Sequence, residues 1–368
     1  MEFISLNDCC EILDSMRIPI TSANREKGLY PYYGANGIQD YVANYIFDDE
    51  LVLLAEDGGN FGSKVKPIAY RVSGKCWVNN HAHVLKPKEG FDVDYLCYSL
   101  MFYNVDGLVN GATRQKLTQS MMKKMLIPNR SLPEQLIIVE YLNKVIAIKT
   151  KLQSIVQKLD NLIKARFVEM FGSQCHNEKQ FTYGKIDDVA EIYLGLTHTP
   201  KYIETGVKFI SAKNTSGDYL DLKDVKYISK EEYLSAPNGA KPRKGDVLFS
   251  RVGSNLGHPV ILDIEEELCT FVSLGFLRTK GAVTNLYLKH WMRDDFFTEQ
   301  VRRKVVGGGQ PNLNTGWLKE FGIIIPPTEL QDQFAAFVEQ VDKSKLAVQQ
   351  SLDKTQELFD SLMQKYFG

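Results

Sequence analysis

The residues best suited to chemistry lie beside glycines in short polar loops. One loop runs Glu56-Asp-Gly-Gly-Asn60, and a basic loop runs Thr113-Arg-Gln-Lys116. Amide, guanidinium and hydroxyl groups form directional hydrogen bonds, and Lys and Arg also attract anions. Glycine removes the Cβ that would otherwise keep the backbone away from a ligand. These loops favour binding over catalysis.

No signature of a catalytic centre accompanies the loops. The sequence contains no glycine-rich nucleotide-binding loop, no GxSxG motif and no HExxH motif. His81 and His83 would share one face of a strand, but no cysteine or carboxylate clusters with them in the sequence, so we expect no metal site. The sequence therefore predicts a protein that is not itself an enzyme.

Composition is typical of a globular protein with more than one domain. At 368 residues the chain is too long for a single hydrophobic core. Its net charge of −1 shows that the whole chain is not a polycation, but it is compatible with a local basic face. The six cysteines form no CxxC pair, which predicts free thiols in a reducing compartment. The N-terminus has no signal-peptide pattern and no apolar run is long enough to span a membrane, so we expect a cytoplasmic protein.

Two long stretches without proline or glycine must position the loops. In the first, between Pro133 and Gly172, apolar residues recur at intervals of three and four: Ile138, Tyr141, Val145, Ile148, Leu152, Ile155, Leu159 and Leu162. This pattern predicts a coiled-coil helix about 55 Å long that needs a partner along its length.

The second stretch, from Thr328 to Phe367, provides that partner. Polar residues interrupt its seam at Ser344 or Lys345 and at Thr355, where they either fix the register or are covered by another protein. Its apolar stripe is similar but less regular: Phe334, Phe337, Val341, Val348, Leu352, Phe359, Leu362 and Tyr366.

An internal repeat links the loops to the helices. Gly111–Thr118 corresponds to Gly307–Asn314, and each segment precedes a short apolar strand, a proline and a long helix. Glu56–Gly62 also matches Arg251–Gly257. The predicted order is domain, helix, domain, helix, at 1–132, 133–172, 173–327 and 328–368.

Each domain is predicted to be α+β. Short helices are expected at Tyr95–Tyr103 and Leu286–Arg293. Apolar runs bounded by turn residues predict strands at Leu51–Ala55, Val207–Ile210 and Asp246–Ser250. If the two helices of a direct repeat pair antiparallel, the repeat acquires an approximate two-fold axis.

The combination of motifs resembles the specificity subunit of type I DNA restriction–modification systems. Gly307–Asn314 with Ile325–Gln331 is similar to the loop and strand before that family's long helix. Tyr30–Gly37 with Ala55–Gly58 resembles one type of target recognition domain, and Lys208–Asn214 with Lys244–Arg251 resembles another.

The resemblance implies a non-catalytic reader of double-stranded DNA. Each target recognition domain would read one half of a split sequence, with the antiparallel helices as a ruler. Two methyltransferase subunits would dock on the helices and methylate adenine N6 with S-adenosylmethionine bound to them, and restriction subunits that translocate DNA can join. The only Pro-Pro pair here, Pro326-Pro327, lies in Ile-Pro-Pro-Thr and not in the Asn-Pro-Pro-Tyr motif of such a methyltransferase. No cofactor is expected on this chain.

Given that resemblance, the polar loops supply candidate contacts to bases and phosphates. In the first domain they are Tyr33, Asn36, Gly58, Gly59, Asn60, Lys64, Asn79, Asn80, His81, Thr113, Arg114, Gln115 and Lys116. In the second they are Lys213, Asn214, Arg251, Ser254, Asn255, Gln310 and Asn312. Gln310 and Asn312 lie in the repeated loop, which can instead serve the scaffold. Arg302-Arg-Lys304 is either a phosphate-binding patch or a solvated helix end.

A coiled-coil scaffold with two protein- or ligand-binding domains is the alternative interpretation. The heptad stripes alone would allow it. The loops rich in Asn, Gln, Lys and Gly, together with the resemblance, favour the DNA reader.

Overall fold

The computed structural model describes residues 2–111, 114–253, 255–304 and 312–368. Its contacts divide the chain into two units: unit 1 comprises Met1–Gln153 and Gln349–Gly368, and unit 2 comprises Ser154–Val348. Each unit contains one α+β domain and half of each long helix. The division by contacts therefore cuts both helices, whereas the sequence boundaries separated the helices from the domains.

Unit 1 is built on a six-stranded sheet with the order β2-β7-β5-β6-β3-β4. Its central strand β5 ends in the apolar run Leu51–Ala55, which is buried on both faces. The strands are β1 Phe3–Ser5, β2 Cys10–Ile12, β3 Lys27–Gly34, β4 Gly37–Val42, β5 Phe47–Ala55, β6 Ala69–Val78, β7 Ala82–Pro87, β8 Val109–Asn110, β9 Lys116–Leu117 and β10 Leu126–Pro128. The helices are α1 Leu6–Cys9, α2 Val93–Met101, α3 Gln119–Met122 and the long α4 Leu132–Phe171.

Unit 2 contains two four-stranded sheets, with the orders β12-β19-β16-β17 and β13-β15-β14-β18. Its strands are β11 Thr182–Lys185, β12 Ala190–Leu194, β13 Tyr202–Ile203, β14 Val207–Ile210, β15 Lys226–Ile228, β16 Val247–Ser250, β17 Pro259–Ile261, β18 Leu268–Thr270, β19 Leu274–Thr279 and β20 Gly322–Ile325. Its helices are α5 Ile186–Val189, α6 Lys230–Ser235, α7 Asn285–Trp291, α8 Asp295–Lys304, α9 Thr315–Lys319 and the long α10 Thr328–Phe367, which continues into unit 1.

Local signals set the ends of α4. Ser131 precedes the helix, and Glu134 accepts hydrogen bonds from the Ser131 N–H (2.9 Å) and hydroxyl (2.6 Å). Gly172 follows the last turn at φ +74° and donates its N–H to the Val168 carbonyl (2.8 Å). A carboxylate at the start and a left-handed glycine at the end stabilise the ends of the helix, where backbone groups lack helical partners. Forty residues correspond to a helix of about 60 Å.

The predicted apolar seam of α4 is half right. Ile138 and Val145 are buried and Leu152 and Leu159 are half-buried, but the alternate residues are between 41% and 49% exposed: Tyr141, Ile148, Ile155 and Leu162. The residue that follows each of these exposed side chains is buried or half-buried instead: Leu142, Lys149, Val156 and Ile163. Apolar residues at both positions made the two faces indistinguishable by hydrophobicity alone. The result is a second apolar stripe, with a spacing of seven, on the exposed side of α4.

Within each unit the two long helices run antiparallel. In unit 1, Lys149 donates to Gln356 and Arg130 donates to the Tyr366 carbonyl. Residue numbers therefore increase towards α4 and along it while those of the contacting residues on α10 decrease. In unit 2, Asp160 pairs with Lys345 at 2.6 Å. The seam predicted for α10 is buried or half-buried throughout, and the half-buried Lys345 and Thr355 are its polar interruptions, whereas Ser344 is exposed. A charged pair in such a seam constrains register.

One buried glutamine ties each long helix to its domain. Gln135 in unit 1 donates to the Gly90 and Arg130 carbonyls and accepts the Asp92 N–H at 2.8 Å. Gln331 in unit 2 donates to the carbonyls of Ala282 (3.1 Å) and Pro326 (2.9 Å) and accepts the Thr284 N–H at 2.7 Å. Asp92 and Thr284 are the N-caps of α2 and α7. The repeat therefore preserves the junction between helix and domain.

None of the helices in the described residues combines the length and hydrophobicity needed to cross a bilayer. All six cysteines are free thiols, and every one except Cys175 is buried.

Candidate nucleic-acid interface

Three segments of unit 1 meet where β5 ends. Glu56 donates its N–H to the His81 carbonyl (2.9 Å) and accepts the N–H of Leu117 (2.7 Å). These backbone bonds bring together the glycine loop 57–60, the turn 79–81 and the basic strand β9. Candidate residues that lie far apart in the sequence thus share one surface.

The Asp57 carboxylate organises that surface. It accepts hydrogen bonds from Arg114 Nη2 at 2.8 Å and from His81 Nδ1 at 2.7 Å. Gly58 adopts φ +62°, and a Cβ there would lie 3.4 Å from the Arg114 guanidinium. Asn36, at the β3–β4 turn, donates Nδ2 to the Gly58 carbonyl at 3.0 Å. An amide, an imidazole and an exposed guanidinium therefore lie side by side.

The structure corrects the prediction for Asn79. Its side chain is buried, accepts the His81 N–H at 2.8 Å and donates to Gln39 Oε1 at 3.1 Å. It shapes the turn and is not available to a ligand. Asn60 acts similarly within its own loop, where Nδ2 donates to the Pro67 carbonyl.

The remaining candidates of unit 1 differ in exposure. Gly59 allows close packing, since a Cβ there would lie 2.4 Å from that of Ala55. Tyr33 is half-buried against Tyr70, with ring centroids 5.8 Å apart. The exposed candidates beside them are Lys64, Asn80, Gln115 and Lys116.

A buried network supports this surface from below, and sequence reasoning missed it. His83 contacts Asp14 through Nδ1 (2.6 Å) and the Leu117 carbonyl through Nε2 (2.9 Å). Ligand atoms of Asp14, Glu56 and His83 lie within 4.8 Å of one another, so the expectation that no carboxylate clusters near the histidine pair is wrong. Arg17 lies 2.7 Å from Glu56 and 3.5 Å from Asp14. Two cations, Arg17 and Lys116 (3.0 Å from Glu56), already pair with the two carboxylates, which favours a structural role over a metal site.

Both carboxylates of this network are held ionised. Burial opposes ionisation, but the hydrogen bond from His83 holds the pKa of Asp14 below its ordinary value. Hydrogen bonds from Arg17 and Lys116 likewise overcome burial and lower the pKa of Glu56. No local pattern could have indicated this cluster, because Asp14 and His83 are 69 residues apart.

Unit 2 builds the equivalent position with the opposite charge. Arg251 follows β16 as Glu56 follows β5, and its carbonyl accepts the N–H of Leu313 at 2.9 Å. Its guanidinium donates to the carbonyls of Leu313 (3.1 Å) and Val272 (2.9 Å) and to Asn312 Oδ1 (3.4 Å). Arg251 therefore braces the repeated loop, and any contact with a phosphate would use its remaining N–H groups.

The other described candidates of unit 2 fall into two groups. Asn214 shapes its own loop, because it accepts the Ser211 N–H (2.9 Å) and donates to the Asp221 carbonyl (2.9 Å). Asn214 is half-buried, and its assignment as a contact residue stays a prediction. Lys213 and Asn255 are exposed, and Asn255 Nδ2 also donates to the Ser216 carbonyl at 3.4 Å.

Three candidates, Thr113, Ser254 and Gln310, lie outside the described residues. Arg302 and Arg303 end α8, are exposed and both pair with Glu299. That geometry fits a solvated helix end.

Comparison with known proteins agrees across both halves of the chain. The family model for the type I restriction modification DNA specificity domain matches residues 1–162 and 178–357. A chain of Haemophilus influenzae described as a type I restriction enzyme specificity subunit is 29% identical over 360 residues, covering 93% of this chain and 88% of that protein. The MjaVIII specificity subunit of Methanocaldococcus jannaschii is 19% identical over 372 residues, covering 93% and 86%.

Two solved structures share the fold. The S subunit of a type I restriction-modification system from M. genitalium superposes with a TM-score of 0.54 at 14% identity, covering 100% of this chain and 96% of that chain. A chain from a structural study of complex assembly and conformational transition in a type I system gives 0.53 at 17% identity, covering 100% and 97%. The family model matches most of the chain, in both repeated halves, and the chain belongs to the type I restriction–modification DNA specificity family.

Proposed function

We propose that this chain is the non-catalytic DNA-specificity subunit of a type I restriction–modification complex, in which each domain reads one half of a bipartite duplex target. The observation that carries the proposal is the repeated junction after β5 and β16. In both units a backbone bond to Leu117 or Leu313 brings a polar loop to the end of a buried strand. The same scaffold therefore presents different side chains in the two halves, as a reader of two half-sites requires.

The exposed groups divide by chemistry. Amides can discriminate bases in the major groove, and lysine or arginine can neutralise phosphates. We assign base contacts to Asn36, Asn80, Gln115 and Asn255, and phosphate contacts to Lys64, Arg114, Lys116 and Lys213. Asn79, Asn60, Asn214 and Arg251 hold the loops that carry them.

The long helices set the distance between half-sites and dock two methyltransferase subunits. The exposed stripe of α4 supports docking, because Tyr141, Ile148, Ile155 and Leu162 offer heptad-spaced apolar side chains to another helix. S-adenosylmethionine would bind to those partners, which would methylate adenine N6 in the cytoplasm. A restriction subunit can complete the assembly.

Co-expression with the neighbouring methyltransferase gene tests the proposal. We expect a complex with two methyltransferase subunits per chain and methylation of one bipartite sequence, read by sequencing the modified bases of the host genome. Replacing only the domain of unit 2 with that of a relative should change one half-site and leave the other intact. A chain that remains alone, while the methyltransferase still modifies the same bipartite sequence, would instead support a scaffold that binds protein or small ligands.

A further inference from the structure

A cavity of about 510 Å³ lies within unit 2, where α7 and the loop before β17 face segments of α4 and α10. Its apolar wall includes Leu256, Met292 and Phe297, and its polar wall includes Lys289 and Arg293. Apart from Asn255 at its edge, the cavity uses none of the residues assigned above to DNA.

Lys289 is the unexplained group in this cavity. Among the described residues, no carboxylate lies within 4.0 Å of its ammonium group and no hydrogen bond reaches it. Two of the three carboxylates in the cavity lining have other partners: Asp218 pairs with Arg293 at 2.7 Å and Asp160 with Lys345 at 2.6 Å. The third, Asp342, is exposed on α10 and lies more than 4.0 Å from the Lys289 ammonium. Arg293 Nε is also buried without an acceptor in the described part of the chain. Two donors at one cavity therefore lack acceptors.

The charges around the cavity leave one positive charge uncompensated. With histidines counted as neutral, its lining contains four cations, Lys164, Lys289, Arg293 and Lys345, and three carboxylates, Asp160, Asp218 and Asp342. Burial, reinforced by Arg293, lowers the pKa of Lys289 to about 8, so the ammonium is still mostly protonated at neutral pH. Burial lowers the pKa of His290 to about 3, so that ring adds no charge. A single excess cation matches a monoanion such as a carboxylate.

The surface beside the cavity favours a polypeptide as the carrier of that anion. A shallow apolar depression on α10 shares Leu286, Val338 and Asp342 with the cavity and continues to Leu346, which is 61% exposed. Glu339, which pairs with Lys343 at 2.7 Å, and Asp342 also line this depression. Its charged side chains sum to −1, which disfavours a DNA backbone and tolerates apolar side chains.

We propose that this surface receives an acidic residue of the methyltransferase subunit, whose carboxylate pairs with Lys289 while neighbouring apolar residues cover Leu286 and Leu346. The inference rests on the proposed function and adds the chemistry of the contact.

The equivalent positions of α2 in unit 1 carry no cation, which makes the proposed contact asymmetric. Tyr95 in α2 and Tyr287 in α7 are equivalent, since each donates its hydroxyl to the carbonyl of a residue in the strand before a long helix (2.9 and 2.7 Å). Counted from these tyrosines, Cys97 replaces Lys289 and Met101 replaces Arg293. Only the methyltransferase subunit on unit 2 should therefore depend on the ion pair.

The test compares the wild-type chain with Lys289→Met, which keeps side-chain length and removes the charge. Native mass spectrometry during titration with the methyltransferase subunit should show a 2:1 complex for the wild type. For the variant, the second methyltransferase should bind roughly 30-fold more weakly, so that a 1:1 complex accumulates. Lys230→Met is the matched control and should assemble as the wild type, because it removes an exposed lysine of α6 that pairs with Glu267.

Two further measurements separate docking from folding. The Lys289→Met variant should melt at a higher temperature than the wild type. Folding removes the unpaired Lys289 ammonium from water at a cost in free energy, and the substitution eliminates that cost. Binding of the second subunit should also weaken as the pH rises through about 8, where the ammonium loses its proton. Titratable and charged groups from several elements face Lys289 across the cavity. They are His290 on α7, Arg293 just after α7, Asp218 and His258 in loops, Asp160 and Lys164 on α4, and Asp342 and Lys345 on α10.

The outcomes distinguish the two proposals. A wild-type chain that binds no methyltransferase refutes the proposed function and this inference with it. A wild type that binds two subunits, with a variant that binds two equally well, overturns the inference alone. A variant that melts at a lower temperature and loses both subunits together would assign Lys289 a structural role, which also overturns it.

Discussion

At the scale of single residues, buried polar groups position the loops that we propose to contact DNA. Asp14 accepts hydrogen bonds from His83, Gln119 (3.0 Å) and the Val84 N–H (2.9 Å) beneath the unit 1 surface. Each of these donors would lose an acceptor if the carboxylate were removed. The unit 1 surface that Asp57 organises therefore depends on the Asp14 carboxylate, which is buried and cannot touch a ligand.

Asp14→Asn should destabilise unit 1 by about 3 kcal/mol, because the buried His83 and the half-buried Arg17 lose one of the two carboxylates that face them. Since the pKa of Asp14 is lowered on folding, its contribution is full above the unfolded value near pH 4 and disappears as the pH falls through the folded value. Urea unfolding between pH 7 and pH 2 would measure both effects. Glu140→Gln, which alters an exposed helix pair, should change stability by less than about 0.5 kcal/mol. Equal acid sensitivity in Asp14→Asn and wild type would contradict this account.

Arg251→Ala should weaken DNA binding by a similar factor for all sequences. The substitution removes three donors that brace the loop at Leu313, so it loosens contacts that do not depend on base identity. Binding assays with the cognate duplex and with half-site mismatches would measure the effect. A loss confined to one base pair would instead identify Arg251 as a base reader.

At the scale of elements, the junction between long helix and domain recurs in both units. Gln331 is buried, and three main-chain groups from separate segments converge on its amide. Gln135 repeats the arrangement in unit 1. A long helix can orient a domain only if such contacts remove rotation at its first turn.

Gln331→Leu should destabilise unit 2 by about 3 kcal/mol, because buried backbone groups lose their partners. The Thr284 N–H should lose protection against hydrogen exchange first, since it donates to the missing carbonyl. Gln333→Leu, at an exposed position of the same helix turn, is the control and should leave that amide protected. Unchanged exchange at Thr284 in Gln331→Leu would refute the role of this junction.

At the scale of the whole molecule, the repeat produces two similar scaffolds with different chemistry. Glu56 and Arg251 occupy equivalent positions with opposite charge, and the unit 2 cavity has no counterpart in the residues of α2. The net charge of −1 is thus the sum of local surfaces that carry different charges in the two units. Duplicated architecture and divergent loops are what independent half-sites demand.

Insertion of one heptad after Gln153 and another after Val348 should lengthen the unspecified spacer of the DNA target by about three base pairs. Seven helical residues add about 10 Å, and each base pair rises about 3.4 Å. Sequencing of modified bases would give the new target, with both half-sites unchanged. A heptad in α4 alone should abolish the bipartite target, because the seam residues would no longer match. New half-site bases with an unchanged spacer would contradict the role of the helices as a ruler.

Periodicity and repetition in the sequence determined the two long helices, their pairing and the order of the domains, because heptads and loop–strand–helix motifs are local patterns. The same periodicity could not decide which stripe of α4 faces α10, since apolar residues occupy both. The Asp14–His83 network, the burial of Asn79 and the unpaired Lys289 required the tertiary structure. Each depends on groups that are distant in the chain and meet only when strands pair and helices pack, and burial then decides whether a polar side chain braces a loop or remains free to bind.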